Sequence, residues 1–244
     1  MSTRELVRLW EWGRHKTPVA RALGMLRAAA PHADVDALAE LSIGQRDGIL
    51  LALRSQTIGA SLDLESRCPS CGAGTEFNVP IAEILVAPLS VDPNRAIHAL
   101  ERDGVRVEFR LPNSRDLAAT GDQGDREAAR RILLDRCVVR ATTDDASIPP
   151  AALPPAVSQA VAAAILELDT QAEIRFNLTC PDCQKRWVAD LDIASFLWAE
   201  IDIRARRALR EVHVLAQAYG WDEDRILALS SERRQYYISL GGSS

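Results

Sequence analysis

The chain has 244 residues, 47% of them hydrophobic, which suffices to bury a substantial core in one large domain or two small ones and excludes disorder as the default. Its formal net charge of −5 argues against general nucleic-acid binding, which draws its affinity from neutralising phosphates. No stretch reaches the roughly 20 apolar residues of a membrane-spanning helix.

In chain order, Leu6, Val7, Leu9 and Trp10, and then Val19, Leu23 and Leu26, recur at helical spacing and predict a helical segment over 1–41. Pro18 is placed to open its second helix and Pro31 breaks the pattern. Ser42 can N-cap an amphipathic helix over 43–56 carrying Ile49, Leu50 and Leu53. Gly59 then releases the chain into short alternating strands around Cys68-Pro69-Ser70-Cys71, and a helix is expected from about Ile81. Pro88 and Pro93 mark a connection. Asp103-Gly104, a dipeptide that tolerates positive φ, predicts a hairpin in which Val105, Val107, Phe109 and Leu111 face inward and alternate with Arg106, Glu108 and Arg110. Gly121 and Gly124 predict a mobile loop before a helical run over 131–139 that contains Cys137. The prolines between Ile148 and Pro155 predict an inter-module linker over 141–156, which separates a first module at 42–140 from a second at 157–244. In the second module, Ile201, Leu209, Val212 and Leu215 form one apolar stripe, Gly220 ends that helix and Asp222 caps the next. Ile226, Leu229, Tyr236, Tyr237 and Leu240 offer a further apolar edge.

The clearest chemistry lies in two Cys-Pro-x-Cys turns, Cys68-Pro69-Ser70-Cys71 and Cys180-Pro181-Asp182-Cys183. Each presents two sulfurs from one tight turn, and Zn²⁺ takes four soft ligands in a tetrahedron, so each turn supplies half of a closed site. The expected metal ligands are Cys68, Cys71, Cys180 and Cys183, sharing one structural Zn²⁺; the alternative is two sites, each with outside ligands. The four histidines, His15, His32, His98 and His213, are scattered, which makes the shared ion simpler. Shifting the first copy by 112 positions brings Leu62 onto Ile174, Leu64 onto Phe176, Val79 onto Leu191 and Ile81 onto Ile193; upstream, Ile49 falls on Val161 and Leu53 on Ile165. The correspondence predicts an internal duplication of helix, CPxC-tipped hairpin and helix, with the two tips meeting across a pseudo-twofold. The fold expected is therefore α+β, mainly helical, with two duplicated hairpins joined by zinc and one additional hairpin.

Competing readings of the cysteines fare less well. A thioredoxin-like pair opens a helix after a buried strand, whereas both turns here lie between short alternating strands. Structural disulfides would leave Cys137 over, and no leader segment points to an oxidising compartment. Cys137 reads as a small buried hydrophobe, not a ligand. No P-loop, dinucleotide fingerprint, G-x-S-x-G elbow or H-E-x-x-H is found, so no catalytic or cofactor-binding residue is assigned and no small-molecule substrate is expected. Arg204, Arg206, Arg207 and Arg210 fall on one helix and read as a solvated face. The alternative function is a zinc-ribbon nucleic-acid-binding or transcription-associated module, for which Arg67, Lys185, Arg186 and Trp187 offer a basic, aromatic face near the turns.

The run Arg46-Asp47-Gly48-Ile49-Leu50-Leu51-Ala52-Leu53-Arg54, followed by Gly59 and the first CPxC turn, resembles baseplate hub proteins of T-even-type contractile-tailed phages. So do Phe109-Arg110-Leu111-Pro112 with Asp116-Leu117, Glu211-Val212-His213, Tyr219-Gly220-Trp221 and Arg233-Arg234-Gln235-Tyr236-Tyr237. The likeness runs from about residue 40 to the end. It implies a non-enzymatic baseplate hub component or hub assembly chaperone of a phage or a phage-derived contractile injection machine. Its implied partners are other hub or spike proteins, and its implied place is the cytoplasm during assembly, with retention in the finished particle or release from it. The zinc expectation rests on this sequence and not on the resemblance.

Overall fold

The computed structural model describes residues 1–86, 96–121, 125–143 and 146–241. Pro88, Pro93 and Gly124, read from sequence as marking loops, lie outside the described residues. The chain opens with α1 (Thr3–Gly13), α2 (Pro18–Ala29), α3 (Val35–Glu40) and α4 (Ile43–Thr57). A hairpin of β1 (Ser61–Arg67) and β2 (Gly74–Pro80) runs into the short α5 (Ile81–Ile84). There follow β3 (His98–Arg102), β4 (Val105–Phe109), α6 (Ser114–Thr120), α7 (Arg126–Cys137), β5 (Val138–Thr143), β6 (Ala146–Ser147) and α8 (Pro155–Leu168). A second hairpin, β7 (Ile174–Thr179) and β8 (Arg186–Leu191), leads to α9 (Ile193–Tyr219), α10 (Glu223–Leu227) and α11 (Ser231–Gly241). The architecture is thus mixed α+β, with small antiparallel sheets.

The chain divides into two units, one of Met1–Ala29 with Ala194–Ser244 and one of Ala30–Ile193. The first is helical. Along α9 the buried positions Leu197, Ile201, Ala205, Ala208, Glu211 and Leu215 recur every three or four residues, the spacing of one helix face. Leu209 and Val212, expected on this stripe, are half-buried at its margin. Glu211 occupies a core position because its charge is met there: Arg234 Nε donates to Oε2 (2.7 Å) and Arg207 Nε to Oε1 (2.9 Å). Trp10 on α1 donates from Nε1 to Asp202 Oδ1 (2.6 Å). Gly220 ends α9 at φ +65°, and the Asp222 side chain caps α10 by accepting from the Arg225 N–H.

Among the described residues, every strand lies in the second unit. A four-stranded sheet of order β3-β4-β5-β6 turns at Asp103-Gly104, whose φ values of +53° and +74° are those of a two-residue hairpin turn. Val105, Val107 and Phe109 point inward and pack with Val138, Ala141, Val157 and Val161, so α8 covers this sheet. Leu153 and Ile148 join the same core, and the Pro-rich stretch 148–155 therefore lies inside the unit as a packed turn. The helix expected over 131–139 stops at Cys137: Val138 and Val139 are β-branched and enter β5, where Val138 pairs with Phe109. Nor is α4 amphipathic. Arg46, Asp47 and Arg54 are buried with its apolar residues, because Arg46 Nε donates to Asp47 Oδ1 (2.7 Å) and Arg54 donates to the carbonyls of Gly59 and Ser61. Ser42 caps α4 as expected, in a capping box with Gln45.

Candidate metal centre

The two CPxC turns are built by the same local hydrogen bonds. In the first, the Cys68 N–H donates to the Ala73 carbonyl (2.9 Å) and the Gly72 N–H to the Cys68 carbonyl (2.9 Å). In the second, the Cys180 N–H donates to the Lys185 carbonyl (2.9 Å) and the Gln184 N–H to the Cys180 carbonyl (3.1 Å). Both turns close through a positive φ at matching positions, +78° at Gly72 and +60° at Gln184. Glycine adopts this conformation without steric cost, whereas glutamine is strained there.

Each turn sits at the tip of its hairpin, and the hairpins meet through their inner faces. Phe77 on β2 meets Phe176 on β7 edge-on, with ring centroids 5.3 Å apart, and Trp187 Nε1 on β8 donates to Ser66 Oγ on β1 (3.2 Å). At the tips, Cys68 Sγ lies 3.6 Å from Cys183 Sγ and Cys71 Sγ 3.5 Å from Cys180 Sγ. All four sulfurs fall within 4.8 Å of one another. Four sulfurs bound at about 2.3 Å around a tetrahedral Zn²⁺ stand about 3.8 Å apart, so the donor set fits one ion in number, softness and spacing. Cys68 and Cys180 are buried and Cys71 and Cys183 exposed, which leaves one side of the cluster open to solvent.

The thiols differ in acidity. The Cys71 N–H directed at the Cys68 sulfur is the main cause that draws Cys68 down to about 6, helped against desolvation by the Ser70 N–H and the thiols of Cys183 and Cys71. For Cys71 the Ala73 N–H acts downward, but the thiols of Cys180 and Cys183 together with desolvation outweigh it and push the group up to about 12. Cys68 thus gives up its proton readily and Cys71 does not, so a metal bound by both would displace the Cys71 proton.

The other candidates from sequence find structural roles. Cys137 is 1% exposed, and burial pushes its thiol up to about 12, as suits an unreactive core cysteine. Among the described residues no histidine belongs to the sulfur cluster. Trp187 is half-buried and tied to Ser66, so its ring is not a free stacking platform, and Arg67 pairs with Glu65 (3.3 Å). Arg204, Arg206, Arg207 and Arg210 are exposed, with Arg206 on Asp202 (2.8 Å).

Two buried carboxylates brace the unit that carries the cluster. Asp169 accepts from Ser42 Oγ (3.0 Å) and the Gly44 N–H (2.9 Å), and burial raises its pKa. These partners lie too far apart in sequence for any local pattern to announce them. Asp116 is fully buried and accepts a fork from Arg110 (2.6 and 2.9 Å), Arg136 Nε (2.9 Å) and the Asn113 N–H (3.0 Å). Desolvation alone would raise its pKa, but the Arg110, Asn113 and Arg136 bonds hold it below the usual carboxylate value. A capping box from Asn113 to Asp116 was its one local signal.

No curated protein and no solved structure matches the chain. A family profile described as T4 bacteriophage base plate protein matches residues 25–198, which reaches earlier than the expected start near 40 and stops short of the C-terminal segments.

Proposed function

We propose, since the chain belongs to the family of T4 bacteriophage base plate proteins, that it is a non-enzymatic interaction module of the base plate. It acts as a hub component or a hub assembly chaperone, held in shape by one structural Zn²⁺ on Cys68, Cys71, Cys180 and Cys183. The family match over 25–198 carries the base plate assignment. The spacing of the four sulfurs supports the metal. An ion closed by four sulfurs has no coordination position left for water or substrate, so what it supplies is folding energy.

The two hairpins are read as halves of an internal duplication. The pairs Leu62↔Val79 and Ile174↔Leu191 are related by the same 112-position shift as the cysteines. So are the starts of α4 and α8, Ile43 and Pro155, and of α5 and α9, Ile81 and Ile193. Exchanging the halves converts the Cys68–Cys183 contact into the Cys71–Cys180 contact, as a local pseudo-twofold requires.

The surface for hub or spike partners is placed on the C-terminal helices. Tyr219 stacks on Trp221 (4.8 Å), Trp221 meets Tyr237 (5.0 Å) and Tyr236 meets Tyr237 (6.3 Å), which makes a continuous aromatic cluster. Tyr236 is 65% exposed, so its ring is available as an interface anchor. Co-expression of the full chain with hub and spike proteins, followed by affinity capture, is the test. Capture of a hub protein that is lost with Tyr236→Ala supports the proposal; normal particles assembled in the gene's absence would overturn it. Mass spectrometry of purified particles separates the two roles, since a component is found there and a chaperone is not.

A further inference from the structure

The outward faces of the two hairpins carry opposite chemistry. On β1 and β2, Asp63, Glu65, Glu76 and Asn78 are exposed. The register sets Glu65 directly opposite Glu76, a like-charge pair that destabilises a ribbon. Arg67 pairs with Glu65, while among the described residues no cation pairs with Glu76. On β7 and β8 the matching face presents Arg175, Asn177, Thr179, Arg186 and Val188, with Asp190 as its one acid. Arg175 lies opposite Asp190, but Arg186 lies opposite Thr179 with no acid on it among the described residues, and Val188 is 53% exposed. Under the 112-position shift Asp63 corresponds to Arg175, Gly74 to Arg186 and Glu76 to Val188; Asn78 against Asp190 and Arg67 against Thr179 run the other way, and the balance stays acidic on the first face and basic on the second.

We propose that the acidic hairpin face of one copy docks on the basic hairpin face of another, with Lys185 and Arg186 of one meeting Glu65 and Glu76 of the next around Val188. The occupant is a second copy because a single chain carries both complementary faces, on ribbons of nearly equal strand length. A cation beside Glu76 relieves the like-charge pair that the isolated ribbon retains. Because the hairpins meet through their inner faces, the two outer faces point apart and cannot both engage one partner, so the contact extends from copy to copy into a ring or filament. A ribbon face is far smaller than the roughly 800 Å² per partner of a standard interface, so the association is weak and falls with salt. Self-association goes beyond the base plate assignment and does not depend on which hub protein is bound.

Sedimentation velocity on the zinc-loaded full chain, across concentration at low and high salt, tests it. The wild type should form species larger than a dimer at low salt that dissociate at high salt. Glu76→Arg and Arg186→Glu should each be monomeric alone, because like charges then face each other. An equimolar mixture of the two should associate again, since the face reversed in each variant is complementary to the face reversed in the other, and their unaltered faces are complementary too; misfolded variants would not recover. A wild type that stays monomeric throughout, or charge reversals that leave its association unchanged, would overturn the proposal.

Discussion

A methyl group on residue 44 would stand 2.1 Å from the Asp169 carboxylate oxygen and 3.1 Å from the Ala172 backbone nitrogen. The carboxylate is pinned by Ser42 Oγ and the Gly44 N–H and cannot swing aside without giving up those bonds, so Gly44→Ala is expected to cost about 1–3 kcal/mol, read as a lower midpoint in urea. Asp116→Asn should cost about 2–3 kcal/mol at neutral pH, because it weakens charge-assisted bonds to two arginines in a buried site. The pH dependence follows from the sign of the shift. The folded carboxyl titrates below its ordinary 3.8, so its contribution is complete above that value and is lost as pH falls through the lowered one. Asp47 and Asp169 shift upward through burial and act in the opposite sense, so the informative quantity is the difference between wild type and variant. That gap should be constant around neutrality and narrow below about pH 3.8; a gap unchanged at pH 3 would contradict the role assigned to Asp116.

Within the elements, the two CPxC turns provide their own control. Gln184 holds a left-handed conformation that Gly72 adopts freely at the matching position. Gln184→Gly should therefore be neutral or stabilising by about 0.5–1 kcal/mol, and Gly72→Gln destabilising by about 1 kcal/mol, in thermal melts of the zinc-loaded protein. On α11, Arg234→Ala should cost about 1–3 kcal/mol because it removes the buried one of two arginines on Glu211 and leaves Arg207 as its remaining cation, while Tyr236→Ala should stay within about 0.5 kcal/mol of wild type. Elements set by local chemistry were legible in the sequence: the Asp103-Gly104 turn, the Ser42 and Asp222 caps and the alternation of Val105, Val107 and Phe109 all depend on neighbours a few residues away. The burial of α4 was not legible, because an amphipathic reading of 43–56 rests on Ile49, Leu50 and Leu53 and says nothing of the partners that let Arg46, Asp47 and Arg54 be buried. The end of α7 at Cys137 was hidden for a related reason, since the apolar run through Val139 serves a helix and a buried strand equally well.

For the whole molecule, the sulfur cluster was the long-range feature that sequence could announce, because two half-sites of a tetrahedral ion need each other however far apart they lie. The grouping of Met1–Ala29 with Ala194–Ser244 was not announced, as helical spacing names the buried face of a helix and not the element that covers it. Membership of the base plate family explains the likeness of the central segments; the C-terminal likeness around Glu211 and Arg234 falls outside the matched span and coincides with a buried ion pair. With the proposed ion bound by all four cysteines, chelation should lower the thermal midpoint of the unit Ala30–Ile193, which contains both hairpins. The most direct test is zinc per chain by elemental analysis of protein purified without added metal. One zinc per chain, lost in both Cys68→Ser and Cys180→Ser, is the expected result; no zinc in the wild type, or two per chain, would contradict a single ion shared by the four cysteines.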